Sequence, residues 1–317
     1  MTAVTTPQVE LANSPRTKRR RGTDRSRQEA RLGWYLAGPA FVILVLVTGY
    51  PIVQAVYDSL FSYRLTAPAD REFIGLSNYG VILTDPLWWE ALANTALITL
   101  VTVAVELVLG FALAMVMHKV LGFLRPVLRT AILVPYAIIT VVSAYAWQYA
   151  FSLTTGFMNA VVPGVPEDFD WFANKWTALT VICLSEIWKT TPFISLLLLA
   201  GLAQVPEDMH EAAKVDGATA RERLFRVTLP NMKASIMVAL LFRALDAFRI
   251  FDNVYIMTNG AAGTQTVSSL AYNQTISRLE IGLGSAVSVL LFLCVLLICF
   301  LAIKVFRVDL ARARGEN

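Results

Sequence analysis

Residues 206–230 read PEDMHEAAKVDGATARERLFRVTLP, a short charged stretch set between two long apolar runs. Pro206 suits the first turn of a helix, and Glu207 and Asp208 follow where negative charge meets the positive end of the helix dipole. Asp216-Gly217 reads as a helix stop, because glycine enters a left-handed turn without steric cost. A second helical piece is expected from Ala218 to Phe225, before Pro230 opens the next apolar run. The stretch carries Lys214, Arg221, Arg223 and Arg226, with Lys233 just beyond it. A polar helix–turn–helix of that charge between two membrane spans belongs on the cytoplasmic side. A solvated loop of good helix formers is the alternative at this point.

The rest of the chain supplies the membrane. It has 317 residues, 56% of them hydrophobic and only 16% charged, with a mean hydropathy of +0.58. That balance lies beyond an ordinary soluble domain and reads as an all-α, polytopic membrane protein. The net charge of +4 does not point to nucleic acid, because the positive residues sit at loops and termini where membrane topology places them. The three cysteines, Cys183, Cys294 and Cys299, fall inside apolar runs and behave as small hydrophobes.

Taken in order, residues 1–31 are polar and basic and read as a disordered cytoplasmic tail. Six spans are expected at 34–61, 90–117, 127–151, 176–203, 231–257 and 284–306, the first kinked at Pro51. Each holds the roughly 20 apolar residues a bilayer crossing needs. Residues 62–89, 152–175 and 259–283 read as external segments, the last a Gly/Ser/Thr-rich loop. The basic segments are the N-terminus, the 118–129 turn, the 206–230 loop and the C-terminal tail 309–317. They share one face only with six spans and both ends inside. Residues 32–308 thus form one transmembrane domain.

Several polar residues lie inside the spans, where they are costly and face a cavity or a partner helix. Arg243, Asp246, Arg249 and Asp252 recur every third residue in the fifth span. That spacing allows a ladder of ion pairs on one helix, which can fix packing, line a path, or do both. The fourth span holds Glu186, Lys189, Thr190, Thr191 and Phe193 around Pro192, a proline that frees a carbonyl one turn earlier. Tyr136 and Thr140, after Pro135, are expected one turn apart on the third span. Glu106 stands alone in the second span and is read as packing against a neighbouring helix. Planar hydrogen-bonding groups and aromatic faces together suit a sugar.

Glu211-Ala212-Ala213, then Gly217, then Val227-x-Leu229-Pro230 resemble the EAA signature of importer-type ABC transporter permeases. The resemblance implies a coupling helix seated in a cytoplasmic ATPase, with Glu211, Ala212, Ala213, Asp216, Gly217, Arg226 and Pro230 on the coupling surface. Residues 74–83, IGLSNYGVIL, also resemble the external loop of sugar permeases. From first span to last the chain is similar to the maltose-type permeases, and PYAIIT, EIWKTTPF and FRALDAFRIFD fall at that family's central sugar site. In that resemblance Tyr136 and Thr140 match a tyrosine and a hydroxyl residue, Glu186 sits at an amide position, Thr190 at a glycine and Phe193 at a tyrosine. Arg243 and Asp246 replace a small hydroxyl residue and an aromatic one. With Arg249 they make the implied substrate-binding set more charged than a maltose pocket. VDGA, LLFRALDAFRIFDN and GLGSA resemble the trehalose-importing members more closely, so trehalose is the sugar implied.

The resemblance further implies an external substrate-binding (lipo)protein, a second homologous permease and two ATPase subunits that use ATP and Mg, in a bacterial inner membrane. No cofactor or metal is expected on this chain. It has no G-x-x-x-x-G-K-[ST] loop and no H-E-x-x-H or G-x-S-x-G, and its two histidines, His118 and His210, lack metal spacing. The reading is therefore a transporter subunit and not an enzyme. A permease for another oligosaccharide or glycerol phosphate is the alternative. More distant are a membrane enzyme using Glu186 or Asp246 on a lipid-linked sugar, and a purely structural membrane partner.

Overall fold

The computed structural model describes residues 24–120 and 122–306. The expected tails at 1–23 and 309–317 lie outside the described residues. The chain divides into two compact units, residues 1–54 and 55–317. Helix α1 (Asp24–Asp58) begins inside the stretch expected to be a tail, continues through Pro39 and Pro51, and has its last turn in the second unit.

The second unit continues with a small antiparallel hairpin, β1 (Phe61–Ser62) and β2 (Glu72–Phe73). Arg71 beside it pairs with Asp58 at 2.6 Å and lies 4.5 Å from the Phe61 ring centre. Helix α2 (Ser77–Thr84) follows, then α3 (Pro86–Lys119). The α3 helix starts with Pro86 in its first turn, and the Asp85 carboxylate accepts from the Leu87 N–H at 2.9 Å. Then come α4 (Arg125–Ala137), α5 (Thr140–Ala150), the short α6 (Met158–Val161) and α7 (Lys175–Leu202), which stays helical through Pro192.

Helices α3 and α7 form the central pair of this unit. Ile98 of α3 and Val181 and Ile182 of α7 pack in one core. Met117 of α3 packs with Ile194 and Leu198 of α7 in another. Their close approach falls at Gly110, where a Cβ would stand 2.7 Å from the Ile194 Cγ2.

Beyond α7 the chain makes α8 (Glu207–Val215), α9 (Ala220–Arg223), one wide turn at 224–228, and α10 (Leu229–Asn231). Next are α11 (Lys233–Ala247), α12 (Asp252–Met257), α13 (Val267–Tyr272) and α14 (Ile281–Phe306).

Two expected spans are broken. The third is two helices, α4 and α5, bent by 82°. Ile138 and Ile139 between them are extended, with ψ near 135°. They begin a run of five β-branched residues, 138–142, which lose side-chain freedom in a helix. Tyr136 and Thr140 therefore sit on either side of a bend and not one turn apart. The fifth span stops at Ala247 and resumes at Asp252. Its 15-residue α11 rises about 22 Å, short of a ~30 Å hydrocarbon core. Among the described residues, α1, α3, α7 and α14 are each long and apolar enough to cross a bilayer alone, and the bent α4–α5 pair adds a fifth candidate.

The segment 259–283, expected as an external loop, is instead largely helical and packed. The Asn94 side-chain amide of α3 donates to the Gly263 and Gln265 carbonyls, both at 2.8 Å. The Thr95 hydroxyl accepts from the Val267 N–H at 3.0 Å.

The α3–α7 contact yields a prediction. Gly110→Ala should destabilise the protein by about 1–3 kcal/mol, because its Cβ has no room. Gly80→Ala, whose Cβ meets nothing within 4 Å, should be neutral or stabilising. Thermal unfolding of the purified chain, followed by tryptophan fluorescence, separates the two.

Candidate functional site

The site begins with one carboxylate at the middle of α3. Glu106 is fully buried, and across from it the guanidinium of Arg243, from α11, is fully buried too. Arg243 Nε lies 2.5 Å from Glu106 Oε2, and Nη2 lies 3.0 Å from Oε1. The same Nη2 reaches Glu186 Oε1 of α7 at 2.8 Å, and Nη1 reaches Asp246 Oδ2 at 2.8 Å. The Thr190 hydroxyl lies 2.7 Å from Glu106 Oε1. The Asn253 amide donates to Glu186 Oε2 at 2.5 Å. Three carboxylates thus share one guanidinium, and the network ties the middles of α3 and α7 to the end of α11 and the start of α12.

This corrects the expected ladder. Of the four charges spaced by three, Arg243 and Asp246 pair, but the helix ends before Arg249 and Asp252 can continue the series. Arg243 spends its fork on Glu106 and Glu186, from two other helices. Glu106 does meet neighbouring helices, as expected, but through an ion pair to Arg243 and a hydrogen bond from Thr190.

Above the network opens a cavity of about 410 Å³, lined by Tyr136, Thr140, Glu186, Thr190, Asp246 and Arg249 among others. Six of the eight residues expected to bind substrate thus line one space, although they come from five separate segments. Phe193 does not line it but stacks on Tyr136 with ring centres 5.4 Å apart and 17° between planes. Arg243 lies beneath the cavity and not on its wall. It holds the carboxylates that do face it.

Five lining residues were not in the expected set: Lys189, Ile250, Phe251, Asp252 and Asn253. Lys189 is 7% exposed and has its ammonium 5.5 Å from the Tyr136 ring centre. Among the described residues no ion pair includes it. The Asn253 Oδ1 is buried without a hydrogen-bond partner. The signal for Asn253 lay in its place right after Asp252, but only the helix break turns it toward Glu186. The cavity therefore offers an ammonium donor, free acceptors and aromatic faces, which suits a neutral ligand rich in hydroxyl groups. Among the described residues no cluster of His, Cys, Asp and Glu could hold a metal ion.

The expected coupling stretch folds as its residues indicated. After α8, Gly217 has φ +79°, with its N–H on the Lys214 carbonyl at 3.0 Å and the Ala218 N–H on Ala213 at 2.9 Å. These two bonds are a Schellman stop. Thr219 and Glu222 then cap α9 reciprocally, a Thr-x-x-Glu signal in the sequence that the reading above passed over. The Thr219 backbone N–H, then its hydroxyl, hold the exposed Glu222 carboxyl below the usual carboxylate range. A lowered folded value means the cap is complete at neutral pH and is lost as pH falls through that value. Glu211, Ala212, Asp216, Gly217, Arg226 and Pro230 are exposed, Ala213 is half-buried, and Val215 presents an apolar side chain 87% exposed at the tip.

Several helices long and apolar enough to cross a membrane, a polar cavity against one of them and a polar helix pair fit a helical membrane permease. The chain belongs to the family of binding-protein-dependent transport system inner membrane components, which matches residues 106–308. It is 50% identical to the trehalose transport system permease protein SugA of Mycobacterium tuberculosis, over 88% of this chain and 89% of that one. It is 38% identical to the sulfoquinovosyl glycerol transport system permease protein SmoG of Agrobacterium fabrum, over 86% and 89%. Its fold matches a bacterial ABC transporter involved in the import of the acidic polysaccharide alginate, with a TM-score of 0.76 and 19% identity over 90% of this chain and 99% of that one. Permease subunits of this family are not themselves enzymes.

The ion network predicts an asymmetry. Glu106→Ala strips a buried partner from Arg243 and should cost about 3–5 kcal/mol. Asp246→Asn, at a side chain 72% exposed, should cost less than about 1 kcal/mol. Melting curves of the purified variants give the comparison.

Proposed function

We propose that this chain is the transmembrane permease subunit of an ATP-driven importer, and that its cavity passes a disaccharide, trehalose, across a bacterial inner membrane. The observation that carries the reading is the cavity at the middle of α7, where aromatic faces and unpaired polar groups meet over a fixed ion network. Its volume of about 410 Å³ falls among ordinary small-ligand sites, roughly 300–1,000 Å³. The sugar itself rests on the likeness to SugA.

In this proposal residues 32–308 are one permease domain of six crossings with both termini cytoplasmic. The bent α4–α5 pair and the broken α11–α12 pair supply the third and fifth crossings, and irregular backbone is tolerated at that depth because it lines a cavity. Tyr136, Thr140, Glu186, Thr190, Asp246 and Arg249 contact the sugar, Phe193 braces Tyr136, and Arg243 positions the carboxylates. An external binding protein delivers the solute, and a second homologous permease completes the path. Two ATPase subunits use ATP and Mg, and their closure moves α8 so that the cavity changes sides. Glu211, Ala212, Ala213, Asp216, Gly217, Arg226 and Pro230 carry that contact. A second reading, a permease for another glycoside, is favoured by Lys189 and Arg249 in the cavity and by the likeness to SmoG.

The test is ATPase activity of the chain purified with its permease and ATPase partners, with binding protein and candidate sugars added. Trehalose should stimulate turnover. Gly217→Pro should abolish the stimulation while the complex still assembles, because proline cannot take φ +79°. If no ATPase co-purifies, or no sugar stimulates it, the importer reading fails. Stimulation by a different glycoside alone would keep the importer and replace the sugar.

A further inference from the structure

A second cavity, of about 440 Å³, lies between the end of α3 and the α8–α9 pair. Its wall gathers His118 and Lys119 from the last turn of α3, His210 and Lys214 from α8, and Arg223 from α9. The chain has two histidines, and both are here. The one acidic residue on the wall is Glu207. Among the described residues no ion pair includes any of the five basic side chains. The floor is apolar, formed by Met115, Leu202 and Leu224.

A basic loop by itself needs nothing more than membrane orientation to explain it. Orientation does not explain why five basic side chains from α3, α8 and α9 converge on one hollow with Glu207 as its one acidic residue. Cations held together unpaired repel one another, and an anion between them relieves that repulsion. Arginine and lysine at this spacing recognise phosphate oxygens, and each imidazole adds an N–H donor even when neutral. Basic pockets at the cytoplasmic ends of membrane helices are the kind of site that takes anionic lipid headgroups.

We propose that this cavity binds a phosphate group, borne by an anionic lipid headgroup or free in solution, and that the bound phosphate ties α8 to the end of α3. The proposal goes beyond the transport reading and does not depend on the solute in the central cavity. Because α8 is the helix assigned to the ATPase contact, the same phosphate would stiffen that contact.

The full chain is placed in nanodiscs of phosphatidylcholine, with or without phosphatidylglycerol. Retained phosphatidylglycerol is counted by native mass spectrometry, and inorganic phosphate is titrated calorimetrically into the phosphatidylcholine discs. The paired variant Lys119→Gln/Arg223→Gln should weaken binding by at least about tenfold, the worth of one charge-assisted hydrogen bond. Retained lipid lost in that variant, without phosphate binding, assigns the site to a headgroup. Phosphate binding lost in that variant assigns it to a soluble ion. Lys119→Arg/Arg223→Lys should keep most of the affinity, and Arg129→Gln, outside the cavity, should keep all of it. The proposal is overturned if the parent binds neither probe, or if the paired variant binds as the parent does. Equal loss in the charge-retaining pair or in Arg129→Gln overturns it too, since the effect would then be packing or bulk charge.

Discussion

A guanidinium with no exposed surface sits at the centre of this protein, and most of what surrounds it follows from the need to keep it company. Removing an arginine from water is costly by several kcal/mol even after relaxation, so Arg243 must be met on every side. Glu106, Glu186 and Asp246 meet it from three helices at distances of 2.5–3.0 Å. The contacts are charge-assisted and directional, so they fix the rotation of α3, α7 and α11 about their axes as well as their spacing. Apolar packing alone is tolerant of small rotations. A three-way ionic junction is not.

The junction also explains what faces the cavity. Arg243 is used up below, leaving the outer edges of Glu186 and Asp246 as the carboxylate wall above it. Asn253 is drawn to Glu186 by its amide, which leaves its carbonyl oxygen unmatched. Lys189, one turn beyond Glu186 on α7, finds an aromatic face in place of a carboxylate. These groups are held by neighbours already spoken for, so their positions are set before any ligand arrives. Such preorganisation is what a hydroxyl-rich solute requires, because each of its groups must exchange water for a partner of fixed geometry.

The two helix breaks complete the space. At Ile138–Ile139 and at Phe248–Phe251 the chain leaves the helix, and the residues flanking both breaks line the cavity. The freed backbone is not left bare. The Ile250 N–H bonds the Ala247 carbonyl at 3.1 Å, and its own carbonyl accepts from the Thr266 hydroxyl at 3.3 Å. Segment 259–283 supplies that hydroxyl, which is why a stretch rich in glycine, serine and threonine is packed and not loose.

The sequence by itself determined the all-α membrane class, the approximate place of each apolar helix, and the two-part polar stretch with its stop at Gly217. Those features are local. Hydropathy is a sum over neighbours in the chain, and a Schellman stop is written in three or four residues. It also marked six of the residues that line the cavity, since polar groups in apolar runs stand out one by one. Tertiary structure decided which of them meet. Arg243 is 137 positions from Glu106 and 57 from Glu186, and no periodicity within α11 could reveal that those partners outcompete Arg249 and Asp252. The break in the fifth span was likewise settled in part by the 259–283 segment, whose Thr266 hydroxyl donates to the Ile250 carbonyl. A helix is continued or ended according to where its backbone groups find partners, and at Ile250 one of those partners lies outside the helix, on Thr266.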